Sequence, residues 1–163
     1  MEAGGGKERE RVVHRRVRRE RREKERDAIH RRGRRERRER ENQISGIVLD
    51  AAIAVHTALG PGLLESAYQA CLAYELTSRG LKVEIQVPLP IRYRGVLLDA
   101  AYRIDIVVED LVVIEIKAAE KLIPVHDAQL LSYLKLSGKK LGLLINFHVL
   151  RLVDGYKRIV NGL

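Results

Sequence analysis

Apolar residues at Ile44, Ile47, Val48, Ala51, Ala52, Val55, Ala58 and Leu59 recur at helical spacing. They predict a helix over about 43–59, closed by Gly60-Pro61-Gly62. A second helix over about 63–79 has Leu64, Ala67, Tyr68, Cys71, Leu72 and Leu76 for its apolar face, and Gly80 follows it as a C-terminal glycine. The period then shortens. Leu81–Tyr93 predicts a first strand, which Pro88 and Pro90 confine to an edge or an irregular position. After a turn at Arg94-Gly95, Val96–Val108 predicts a second strand, and after Glu109-Asp110, Leu111–Ala118 a third. Pro124 opens a helix to about Leu136, stopped by Ser137-Gly138. Leu141–Phe147 predicts a fourth strand and Val149–Val153 a further short one before Asp154-Gly155. Two helices, a three-stranded meander, a helix and a strand predict an α/β sandwich: a mixed central sheet flanked by helices.

Three charges break this pattern. Asp105 interrupts Tyr102-Arg103-Ile104-Asp105-Ile106-Val107-Val108, and Glu115 and Lys117 interrupt Val112-Val113-Ile114-Glu115-Ile116-Lys117. Runs of β-branched and aliphatic residues read as buried strands, where a charge is costly unless paired or metal-bound. Two carboxylates beside a lysine suit a divalent cation with an adjacent ammonium, which is the chemistry of phosphodiester hydrolysis. Asp105 and Glu115 are hard oxygen ligands for Mg²⁺ or Mn²⁺, the main-chain carbonyl of Ile116 is a further candidate ligand, and Lys117 can orient water or offset developing charge. The competing reading is a structural salt bridge between Lys117 and Asp105.

Sheet parity constrains the choice. Glu115 and Lys117 are two apart and share a face. A two-residue turn at Glu109-Asp110 would pair Asp105 with Ile114 and send Asp105 and Glu115 to opposite faces. A shared cation therefore requires a three-residue loop or a bulge between 105 and 115.

Other candidates have two readings each. Glu65 begins a helix, where exposed N–H groups favour a carboxylate with or without a metal. Tyr68, three residues on, either donates to Glu65 or packs. Gln129 and Tyr133 are four apart on one helix face and either contact phosphate or water, or cap the sheet. His126 near a helix start is a ligand, a base or a satisfied surface histidine. Arg103, two before Asp105, faces the same side of a regular strand and can bind phosphate.

Charge divides the chain. Residues 1–41 hold 18 Lys+Arg against 10 Asp+Glu, and the remainder 13 against 12. The folded part is thus nearly neutral, and the high pI belongs to an N-terminal tail. Residues 14–25 and 30–41 match at ten of twelve positions, a tandem Arg/Glu repeat. With few apolar residues this tail should be disordered or a solvated helix. Glu20/Lys24 and Glu36/Arg40 would support helicity, and Gly33 would weaken it. It is either a nucleic-acid-binding arm or a solvated appendage; no aromatic residue interleaves the arginines for base stacking. Domain boundaries are expected at 1–41 and 42–163. The single cysteine, Cys71, excludes an internal disulfide and reads as core. No apolar run reaches a membrane span and no signal-like segment is seen, so a cytoplasmic location and no membrane partner are expected.

The segment Gly62-Leu63-Leu64-Glu65-Ser66-Ala67-Tyr68 resembles the signature of the GxxExxY proteins, which are grouped with the PD-(D/E)XK nuclease superfamily. The resemblance runs from about Ile44 to Val160 and includes YRIDIVVED, VIEIKAAEKL, PVHDAQLLSYLKL and GLLINF. It implies a restriction-endonuclease-like core. By this resemblance Asp105 is the acidic residue and Glu115-Ile116-Lys117 the (D/E)XK triplet. Glu65 looks like an additional helical carboxylate near the metal, so that Glu65, Asp105 and Glu115 would converge on it. Gln129 and Tyr133 resemble a Gln-three-Tyr motif. Ile104 stands where the superfamily often has proline. The implied function is Mg²⁺- or Mn²⁺-dependent cleavage of nucleic acid, DNA before RNA. The alternative is a non-catalytic nucleic-acid-binding or assembly module, and self-association into a homo-oligomer is compatible with either.

Overall fold

The computed structural model describes residues 5–99 and 102–162, with side chains from residue 18. Positions 100 and 101 of the predicted second strand, and the first four residues of the tail, lie outside the described residues. The chain divides into two compact units, Met1–Arg40 and Glu41–Leu163.

Helix α1 spans Gly5–Leu59, far longer than the apolar periodicity predicts. Through Arg40 its described side chains are all exposed. Arginine and glutamate are good helix formers, and one interior glycine costs only about 1 kcal/mol, so the helix passes Gly33 unbroken. Arg19–Glu23 and Arg35–Glu39 are the same i,i+4 pair one repeat apart, and Arg21–Glu25 and Arg32–Glu36 add two more.

In the second unit, α1 buries Ile44, Val48, Ala51, Ala52 and Val55. Helix α2 (Glu65–Ser78) follows, then β1 (Val83–Pro88), β2 (Ile91–Tyr93), β3 (Val96–Leu98), β4 (Arg103–Val108), β5 (Val112–Lys117), α3 (Pro124–Ser137), β6 (Leu141–Asn146), a 3-10 turn (Leu152–Gly155) and β7 (Tyr156–Val160). The described residues form a five-stranded sheet of order β1-β4-β5-β6-β7 and a separate β2–β3 hairpin. Only β5 and β6 pair in parallel, joined by the α3 crossover; the other neighbours are antiparallel.

One face packs Ile106, Val108, Val112, Ile114, Ile116, Leu143, Ile145 and Phe147 against α1 and against Tyr68, Leu72 and Leu76 of α2. The other packs Val107, Val113 and Leu144 under Leu130, Tyr133 and Leu134 of α3. β5 is central and buried on both faces, which is why it reads as an unbroken apolar run apart from its charges. Close approach of α3 requires Gly142: a Cβ there would lie 2.9 Å from Leu130.

The architecture is the expected mixed sheet flanked by helices, with three corrections. The predicted strands over 81–93 and 96–108 each break in two, and their apolar middle (Ile91, Val96, Leu97, Leu98) forms the mostly exposed hairpin. Val149–Val153 is not a strand, because the chain turns there through the 3-10 segment. The edge strand β7, a partner of β6, has no counterpart in the predicted elements. Pro88 ends β1 at the sheet edge, where a missing N–H is tolerated.

Candidate active site

The β4–β5 ladder contains Val108↔Val112, Val107↔Val113 and Ile106↔Ile114. Its connection is therefore three residues, 109–111, with Glu109 and Asp110 left-handed at φ 52° and 55°. This is the odd loop that parity demands, and one further step of the register sets Asp105 opposite Glu115. The ladder stops before that step. On its other side β4 pairs with β1 through Ile85↔Ile106 and Val87↔Ile104, with the rung Gln86↔Asp105 missing. Asp105 thus sits where the sheet opens on both sides. Its carboxylate occupies the gap: Oδ2 accepts the Ile116 N–H at 2.8 Å and Oδ1 accepts from the Gln86 amide at 3.4 Å. The cores part at the same point, since Ile106 packs with α1 and α2 and Ile104 with α3.

Glu115 is 3% exposed. Its Oε1 accepts from Lys117 Nζ at 2.7 Å, and among the described residues its buried Oε2 has no hydrogen-bond partner. The ion pair of Lys117 is thus with Glu115, its neighbour on the same strand face, and not with Asp105 as the competing reading had it. Burial, then the charge of Asp105, push the Glu115 carboxyl up to about 7, against the bond and charge of Lys117. Burial also raises Asp105, opposed by the Ile116 N–H and by Lys117. Burial pulls the Lys117 ammonium down, but its bond to Glu115 and the charges of Glu115, Glu65 and Asp105 outweigh this and raise it. Lys117 is a cation at neutral pH.

The Gly62–Tyr68 segment works as a helix start. Gly62 adopts φ 107°, open to glycine and strained for other residues. Glu65, the first residue of α2, reaches across to accept the Ala118 N–H just beyond β5 at 3.2 Å. Tyr68 does not donate to Glu65. It is fully buried and stacked on Phe147 at 4.4 Å, with its hydroxyl donating to Gly60 C=O at 2.6 Å and accepting from Leu63 N–H at 3.1 Å. It pins the loop before α2, which is the packing alternative for this residue.

Gln129 donates to the Tyr133 hydroxyl at 2.8 Å on α3. Burial raises the Tyr133 hydroxyl, the Gln129 bond opposes this, and the charges of Glu115 and Asp105 add to it, so the pair lies within electrostatic range of the carboxylates. Both residues line an open groove of about 380 Å³ with Tyr102 and Ile91. Arg103 is exposed and donates to the Gln86 carbonyl at 3.3 Å. His126 accepts the Ile123 N–H through Nδ1 at 3.2 Å while its main-chain N–H donates to the Ile123 carbonyl, a reciprocal cap of α3. It takes the satisfied role.

Among the described residues no three His, Cys, Asp or Glu side chains stand together as a ready-made cation cage. The expected convergence of Glu65, Asp105 and Glu115 is corrected accordingly. Glu65 and Asp105 are each tied to the main chain at the end of β5, so they flank Glu115 without closing on one point. A two-carboxylate cation site remains chemically sound, because Mg²⁺ is commonly held by one or two carboxylates plus water and phosphate oxygens. The partnerless Glu115 Oε2 is a hard donor suited to it.

Three residues were missed. Gln69, one turn after Glu65, accepts from the Gln86 amide at 2.6 Å, and Gln86 links it to Asp105. Their only signal is the i,i+4 spacing of Glu65 and Gln69. Asn146, 1% exposed at the end of β6, bonds Ala119 N–H and C=O and His148 N–H, clamping the chain that leaves β5. An asparagine ending an apolar strand is the signal that could have found it.

Comparison with curated proteins and with solved structures returns no match. Residues 42–159 match the family model of the PD-(D/E)XK nuclease superfamily, whose members are usually nucleases. Asp105 and the Glu115-Ile116-Lys117 triplet meet on adjoining central strands inside the matched span, and the chain belongs to the PD-(D/E)XK nuclease superfamily.

Proposed function

We propose that this chain hydrolyses phosphodiester bonds of nucleic acid, DNA in the first instance, with Mg²⁺ or Mn²⁺ held by Asp105 and Glu115. The observation that carries the reading is the buried, partnerless Oε2 of Glu115 beside Asp105 and Lys117. A buried carboxylate without full pairing is costly, and such strain concentrates at functional sites. A bound divalent cation supplies a water of lowered pKa and a counter-charge for the reacting phosphate. Lys117, its ammonium anchored on Glu115 and its side chain 14% exposed, is placed to orient the attacking water or to donate to a phosphate oxygen. Glu65 adds negative charge that favours cation binding, and the Ile116 carbonyl is a candidate further ligand. Gln129 and Tyr133 form the wall that meets the nucleotide, and the exposed Arg103 is a candidate phosphate contact. Within the superfamily the Gly62–Tyr68 signature supports placement among the GxxExxY proteins.

The test is cleavage of single- and double-stranded DNA and RNA with Mg²⁺ or Mn²⁺. Asp105→Asn and Glu115→Gln are expected to abolish cleavage, and Lys117→Ala to lower it roughly 10²–10³-fold. Wild-type cleavage that these substitutions leave unchanged would sink the assignment.

A further inference from the structure

We infer that Gln86 is a positioning residue for Asp105, holding its carboxylate in the orientation from which it meets the cation. The inference rests on the cation reading given above. Gln86 has φ 52° in the middle of β1, between two regular rungs of the β1–β4 ladder. Left-handed backbone is unfavourable for a long side chain and needs a compensating role. Packing does not supply one, because Gln86 is exposed.

Its polar contacts do. The Nε2 group donates to Gln69 Oε1 at 2.6 Å and to Asp105 Oδ1 at 3.4 Å, one acceptor for each N–H. The ionised carboxylate only accepts, so the NH₂ end of Gln86 must face Asp105, and the carbonyl end of Gln69 must face Gln86. From β4, Arg103 donates to the Gln86 carbonyl and braces the same kink. With Oδ2 fixed by the Ile116 N–H, both carboxylate oxygens have a directing partner and the plane of the group is set. The Oδ1 contact is the longer one, so Gln86 orients that oxygen and leaves lone-pair density for an incoming ligand. Partners that orient a metal ligand commonly matter 10–100-fold in affinity.

The experiment is calorimetric Mn²⁺ titration of the full chain, with melting temperatures measured in chelator, for wild type, Asp105→Asn, Gln86→Gly and Gln86→Ala. Gln86→Gly is expected to weaken Mn²⁺ binding about tenfold or more while leaving the melting temperature unchanged or higher, because glycine adopts positive φ freely. Gln86→Ala should weaken binding similarly while keeping the strain. Loss of binding that tracks a fall in melting temperature of Gln86→Gly would reduce Gln86 to a structural role and overturn the inference. Wild-type affinity in both Gln86 variants, with none in Asp105→Asn, overturns it while leaving the cation reading intact. Absence of binding in wild type, or its retention in Asp105→Asn, removes both.

Discussion

Glu115 is an ionisable group kept in an interior that resists its charge, and this has a pH signature. Its folded pKa of about 7 lies above the ordinary 4.5, so the folded state favours the protonated form. Below pH 4.5 the carboxyl is neutral whether the chain is folded or not, and it carries no penalty. Between 4.5 and about 7 the unfolded chain ionises first and stability is lost, reaching a plateau above 7. Without divalent cations, Glu115→Gln should therefore match wild type near pH 4 and exceed it by about 3 kcal/mol at pH 8. Chemical denaturation in chelator at both pH values checks this; a constant difference across the range would contradict it. The same side chain would then be harmful to the bare fold and required for cleavage, a trade common at active sites.

At the scale of elements, close packing between α3 and β6 makes a second expectation. Gly142→Ala places a methyl about 3 Å from Leu130, a fully buried residue, and should cost roughly 1–3 kcal/mol in a denaturant titration. A neutral result would mean that α3 shifts freely over the sheet. Much at this scale was legible in the sequence. β5, α3 and β6 lie within a residue or two of their predicted ends, because each is a long run of one period bounded by a proline, a glycine or a charge. The three-residue β4–β5 loop is one of the two arrangements, with a bulge, that a face shared by Asp105 and Glu115 required. The β2–β3 hairpin did not, because exposed Val96, Leu97 and Leu98 are indistinguishable in sequence from buried strand residues. β7 was missed because Tyr156-Lys157-Arg158-Ile159-Val160 is short and half polar, as edge strands are. Of the site, the charges of β4 and β5 were visible as anomalies in apolar runs. Gln69 and Gln86 were not, since a glutamine with positive φ has no compositional mark.

For the whole molecule, charge and structure divide at nearly the same place. The unit from Glu41 carries its own core, and its N-terminal ties, Asn42 to Arg158 and Ser45 to Tyr156, lie beyond Arg40. Removing residues 1–40 should leave the melting temperature and Mn²⁺ affinity of the remaining chain within error of the full chain. The excised segment holds all of the excess positive charge, so any affinity for nucleic acid should fall and depend less steeply on salt. Melting and binding curves at two ionic strengths check both halves of this expectation. A large loss of melting temperature would show that the arm belongs to the fold. Among the described residues no helix is long and apolar enough to cross a membrane.

The three-residue β4–β5 loop also sets an order of assembly. The bond from Ile116 to Asp105 spans 11 positions of chain, whereas that from Ala118 to Glu65 spans 53. Closing the shorter loop costs less conformational entropy, and local hairpins form on the microsecond scale. Asp105 and Glu115 are thus brought side by side by a nearby turn, while Glu65 arrives only once α2 has docked. A folding chain is therefore expected to bring its two central carboxylates together while both are still solvated, with the repulsion between them growing as the surrounding protein buries them.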